Sequence, residues 1–208
     1  MSESIVGTVP GHLRSQSHEF DATFLVAALC SMFGLEEVSY VHIDELMERE
    51  FNHPGHYYQM GLLRLGFNLI DISGFDFERA LREGLSYIQS YEERRGVPPT
   101  MTTQEEYERW AMRIADRCER LRMNGPGVFT PHIVDELTIQ HLTEALQQGP
   151  VVTCVDWNAQ DKTYTLALGY IYNGEFHIYE PSVGDRVSSI SELWSMRVDG
   201  STIMRVSR

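Results

Sequence analysis

The sequence predicts an α+β domain, and three observations carry that expectation. Most apolar residues before position 124 recur at helical spacing, those after position 150 fall in short stretches rich in β-branched and aromatic residues, and the two regimes do not alternate along the chain. Helices first and strands last favours a C-terminal antiparallel sheet over a doubly wound parallel one, with the first helix packed across it. With 208 residues the chain can bury a full core without staples, as one domain spanning 1–208.

The elements follow in order. Residues 1–17 read as an exposed lead-in. Asp21 is followed by Ala22, Leu25, Val26, Leu29 and Phe33, an apolar set with helical period that stops at Gly34, which predicts a buried helix with an Asp start and a Gly stop. His42 to Phe51 and His56 to Leu65 give two further helices, and Phe67 to Ile72 a strand. From Asp76 to Glu93 the spacing of Phe77, Leu81, Leu85 and Ile88 is again helical. Val97-Pro98-Pro99-Thr100 breaks the chain, and a long helix runs from Thr103 to Met123. Alternating Glu and Arg across 76–123 mark a helical insertion or lid with a solvated surface. Gly127-Val128-Phe129 is a short apolar run, and Thr138 to Gln148 is a helix. Strands are expected at Pro150 to Trp157, Tyr164 to Tyr172, Glu175 to Tyr179 and Ile203 to Val206, with Asn173-Gly174 as a hairpin turn, because both residues tolerate positive φ.

Charge excludes some partners. The formal net charge is -13, from 30 acidic and 17 basic residues, so the long-range field repels phosphate backbones and anionic bilayers. Neither nucleic acid nor membrane is expected as a partner, and a basic or hydrophobic peptide is electrostatically easier. Cys30, Cys118 and Cys154 lie far apart without paired spacing, which predicts reduced structural thiols in a cytoplasmic protein. The first twenty residues hold no signal-peptide run, and no stretch approaches the ~18 apolar residues that cross a bilayer.

Four segments, by their order and spacing, resemble the papain-like fold of double-glycine (bacteriocin-processing) leader peptidases and related bacterial domains. They are the helix opening at Asp21-Ala22-Thr23-Phe24, then Leu65-Gly66-Phe67-Asn68, then Gly149-Pro150-Val151-Val152, and last Tyr164 to Tyr170 followed by Asn173-Gly174 and Tyr179-Glu180-Pro181. In that family the nucleophilic Cys opens the first helix, a His precedes the apolar strand that ends in Gly-Tyr, and an acidic residue before Pro orients the His. The resemblance places Asp21, Thr163 and Glu180 at those three positions. Papain chemistry needs a thiolate made by an adjacent imidazole. A carboxylate is a poor nucleophile toward an amide, and a threonine hydroxyl cannot serve as its base. Family members carry an oxyanion-stabilising Gln about six residues before the nucleophile, where this chain has Ser15, with Gln16 one residue nearer.

Each candidate also has a plainer reading. Asp21 can simply cap its helix, and Glu180 can be a turn residue; either can instead contact a ligand or cation. Cys30, nine residues into the helix, and Cys154, in a strand, read as core, and Cys118 sits on a charged helix. His53 and His56 are interrupted by Pro54-Gly55, and His132 and His141 by a helix start, so no zinc geometry is completed; no cofactor or metal is expected. The implied function is a non-catalytic pseudo-peptidase domain that binds a peptide or protein segment through Gln16, Asp21, Asp156, Trp157, Thr163 and Glu180. The tyrosines Tyr57, Tyr58, Tyr164, Tyr170, Tyr172 and Tyr179 would suit an extended segment. The alternatives are an enzyme of altered chemistry using Asp21 and Glu180 as a carboxylate pair, or an active cysteine enzyme with a relocated pair such as Cys30 or Cys154 with His177.

Overall fold

Asp21–Met32 (α1) contains neither glycine nor proline and is apolar on nearly every face, so it is stable only when surrounded. In the computed structural model, which describes residues 5–14, 21–35, 38–47, 58–123, 125–158 and 163–208 except the side chains of Trp157, Asn158 and Thr163, it is surrounded. Leu25, Val26, Ala28, Leu29 and Met32 are fully buried. The helix closes at Gly34, where Leu35 N donates to Cys30 O at 2.8 Å. Two shorter helices, Tyr40–Met47 (α2) and Tyr58–Arg64 (α3), pack beside it. The expected helix ends at Phe51 and His56 lie outside the described residues.

One seven-stranded sheet carries the remaining core. Its strands are Asn68–Ser73 (β1), Phe129–Ile133 (β2), Val151–Asn158 (β3), Thr163–Tyr172 (β4), Glu175–Glu180 (β5), Gly184–Val187 (β6) and Ile203–Ser207 (β7), in the spatial order β2-β1-β7-β3-β4-β5-β6. Strand alternation divides its side chains between two layers of helices. Val152, Leu168, Tyr170, Tyr179, Met204 and Val206 belong to the core shared with α1, α2 and α3. Val151, Val155, Ala167, Ile178 and Ile203 belong to the core under Ile139–Leu146 (α7) and Ile190–Met196 (α8). The β4–β5 hairpin turns at Asn173-Gly174 with φ of 50° and 82°, as the dipeptide predicts.

The sheet is not purely antiparallel, which corrects the sequence expectation. β1 and β2 pair in parallel, Leu69 opposite Phe129 through Ser73 opposite Ile133. A parallel neighbour requires a long crossover, and residues 76–123 supply it, so the insertion is also the connection between these strands. β2 escaped sequence reading because Pro131 and His132 interrupt its apolar pattern; as an edge strand it tolerates the proline. β6 is short and polar, and α8 was also missed, although Ser189 caps it by accepting from Glu192 N at 3.2 Å.

The expected helix from Asp76 to Glu93 divides at Gly84, whose φ of 82° and ψ of -163° separate Phe77–Glu83 (α4) from Leu85–Arg94 (α5). With Gln104–Met123 (α6) these helices are more than a solvated lid. They enclose a small core of Ala80, Tyr87, Ile88 and Tyr107, with the Phe75 ring 4.9 to 6.2 Å from those of Phe77, Tyr91, Tyr87 and Trp110. Their outer faces carry the ion pairs Arg79–Glu83 and Arg122–Glu78. No described helix is long and apolar enough to cross a membrane.

Candidate functional site

Three elements deliver polar side chains to one place: the first turn of α1, the middle of β4 and the end of β5. Asp21 is the first residue of α1 rather than the residue before it, and it is 6% exposed. A carboxylate there interacts favourably with the helix N-terminus. Thr165 Oγ1 donates to Asp21 Oδ2 at 2.9 Å and lies 3.3 Å from Glu180 Oε1. A hydroxyl has one proton to give, so Glu180 needs other donors, and it has them. Its Oε2 accepts from Ser182 Oγ at 2.6 Å and Val183 N at 2.9 Å, and its Oε1 from Ser182 N at 3.2 Å. At 1% exposure this carboxylate is buried and closes its own turn.

Asp21 and Glu180 thus lie on either side of one threonine hydroxyl. That threonine is Thr165, whereas the sequence match points to Thr163, whose side chain lies outside the described residues. Thr163 and Thr165 are two residues apart on β4 and so share a strand face. Gln16 and the Trp157 side chain are also outside the described residues. Asp156, opposite Tyr164, is half-buried with Oδ1 unpartnered among the described residues.

Beside Asp21 opens a cavity of about 480 Å³ between the main core and the insertion. Asp21, Gln59, Arg117 and Thr165 form its polar wall, and Tyr58, Phe77, Tyr164 and Leu166 its apolar wall. Glu180 stands behind Thr165 and does not line it. Of the six tyrosines expected to receive a segment, Tyr170 and Tyr179 are instead fully buried in the core, Tyr172 packs against that core, and Tyr57 lies outside the described residues. Tyr58 and the 57% exposed Tyr164 line the cavity.

Arg117 was not among the residues that sequence reasoning selected, because it sits in a helix of alternating charge. One signal was available: it lies three residues after Ile114 and four before Leu121, on the inward stripe of α6. Its Nη2 donates to Gln59 Oε1 at 3.0 Å and its guanidinium carbon lies 5.5 Å from the centre of the Phe77 ring. Nearby, burial pushes the Asp71 carboxyl upward, an effect that the Thr202 hydroxyl and the Arg117 charge oppose.

All three thiols are held in their protonated form by burial. Burial pushes Cys30 up to about 12, and burial raises Cys118 and, with the Asp156 charge, Cys154. His177 Nδ1 is 3.1 Å from Asp185 Oδ2, and its ring stacks on Tyr170 at 4.9 Å. His141 Nδ1 accepts from Thr138 N at 3.1 Å at the start of α7. No Cys–His contact occurs among the described residues, nor any group of three or more His, Cys, Asp or Glu residues suited to a metal ion. No protein-family model matches the chain, and no curated protein matches its sequence.

Proposed function

We propose that the chain is a papain-like pseudo-peptidase domain that holds a peptide or protein segment in the cleft beside Asp21. The observation that supports this reading is the meeting of Asp21 and Glu180 across Thr165 at the start of α1, the two positions that the resemblance gives to the peptidases' thiol and acidic residue, with Thr163 at the imidazole position. Neither carboxylate nor hydroxyl replaces a thiolate attacking an amide, and Glu180, enclosed and bonded by its own turn, is poorly placed for acid or base work on a ligand. The cleft beside the linkage is open and partly aromatic, which suits capture of an extended segment. Unpaired cysteines fit the reducing cytoplasm.

The test is retention of random peptide pools by the immobilised protein, with Tyr164→Ala as the cleft variant. Tyr164 is exposed, so its truncation leaves the core intact, while loss of an aromatic anchor should weaken retention by about tenfold or more. Cleavage of the retained peptides, or retention indifferent to Tyr164, would contradict the proposal.

A further inference from the structure

We infer that Arg117 makes the cleft a reader of carboxylates: the docked segment presents a single carboxylate group to the guanidinium that the insertion holds over the cavity. The inference deepens the docking reading and rests on it.

Three features of Arg117 point the same way. It is placed, because it lines both the 480 Å³ cleft and an adjoining cavity of about 190 Å³. It is held, because Gln59, itself 2% exposed, accepts from Nη2, and the Phe77 ring lies against the guanidinium. It lacks a carboxylate at ion-pair distance among the described residues, whereas its neighbours in the insertion have one: Arg79 with Glu83, Arg120 with Asp116, Arg122 with Glu78. Its Nε is buried without a hydrogen-bond partner. Asp71 is near enough to feel the charge but does not form a salt bridge with it, and burial favours its neutral form.

A fixed, half-buried cation with unspent donors is costly unless something anionic completes it. The guanidinium fork matches a carboxylate, with two parallel N–H donors for two oxygens. The rest of the ligand is constrained as well. Tyr58, Phe77, Tyr164 and Leu166 favour an apolar or aromatic chain, and a net charge of -13 repels a ligand that is acidic throughout. A neutral or apolar segment with one carboxylate fits both. That group can be the α-carboxylate of a chain end or the side chain of an Asp or Glu.

The experiment uses the full chain, immobilised, with N-acetylated random hexapeptide pools ending in a free carboxylate or in a carboxamide. Wild type, Arg117→Gln and Arg117→Lys are compared. A terminal carboxylate predicts about tenfold better retention of the acid pool by wild type, loss of that preference in Arg117→Gln and partial recovery in Arg117→Lys. A side-chain carboxylate predicts equal retention of the pools, with Asp and Glu enriched among the peptides that wild type retains and not among those that Arg117→Gln retains. Retention with neither preference, or a preference that survives Arg117→Gln, overturns the carboxylate inference and leaves the docking reading standing. Displacement of peptide by inorganic phosphate but not by acetate overturns it in favour of a phosphate site. If neither pool is retained by wild type, both readings fall. Arg117→Gln also removes the hydrogen bond to Gln59 and the contact with Phe77, so its denaturation midpoint is measured beside that of Arg117→Lys, and retention is compared at a temperature where both variants are folded, which separates lost recognition from lost fold.

Discussion

Thr165 shows how much a single hydroxyl carries at this site. It is a buried donor to the Asp21 carboxylate, and a hydrogen bond to a charged group contributes roughly 1.5–3 kcal/mol. Thr165→Val keeps the shape and removes the donor, so urea denaturation should show a loss of about 2 kcal/mol; an unchanged midpoint would mean that Asp21 does not depend on it. Asp71 works in the opposite direction. Burial raises its carboxyl above the unfolded value, so the folded chain binds the proton more tightly than the unfolded chain does. The stability it contributes is full below the ordinary carboxylate range and is lost as pH rises through the folded value. Asp71→Asn should therefore melt at a higher temperature than wild type, with an advantage that grows from mildly acidic to neutral pH. A constant or reversed difference in melting temperature would count against this.

At the scale of elements, Gly84 decides whether the insertion has one helix or two. Its φ of 82° and ψ of -163° lie where only glycine is comfortable, and an added Cβ would meet nothing within 4 Å, so backbone strain is the whole cost of a substitution. Gly84→Ala should cost about 1–3 kcal/mol, read as faster amide exchange across residues 77–94 with the central strands unaffected. Faster exchange spread evenly through the sheet would refute a local origin. The helical spacing of Phe77, Leu81, Leu85 and Ile88 passes unbroken through this glycine, so periodicity alone could not reveal the break. The missed elements share a comparable reason. β2 and β6 are edge strands whose mostly polar or proline-containing residues need no apolar alternation, because one side faces solvent. α8 was within reach, since Ser189 and Glu192 have the spacing of a capped helix start.

For the molecule as a whole, burial governs thiol chemistry. All three cysteines are raised by desolvation, Cys30 to about 12, so native protein at neutral pH should react with iodoacetamide well below the rate of a free thiol and at full rate once unfolded. Rapid labelling confined to one cysteine would point to an activated nucleophile and reverse the functional proposal. The helical character of the first half, the buried character of α1 and the β4–β5 hairpin were legible in the sequence, because each depends on local period or turn chemistry. What the chain could not disclose by itself was which residues from distant elements share a cavity. Arg117 and Gln59, Thr165 and Asp21, and the parallel pairing of β1 with β2 are contacts between segments whose local patterns say only that a face is buried or a helix is charged. Packing chooses the partner, because a local pattern specifies that a surface must be covered and leaves open what will cover it.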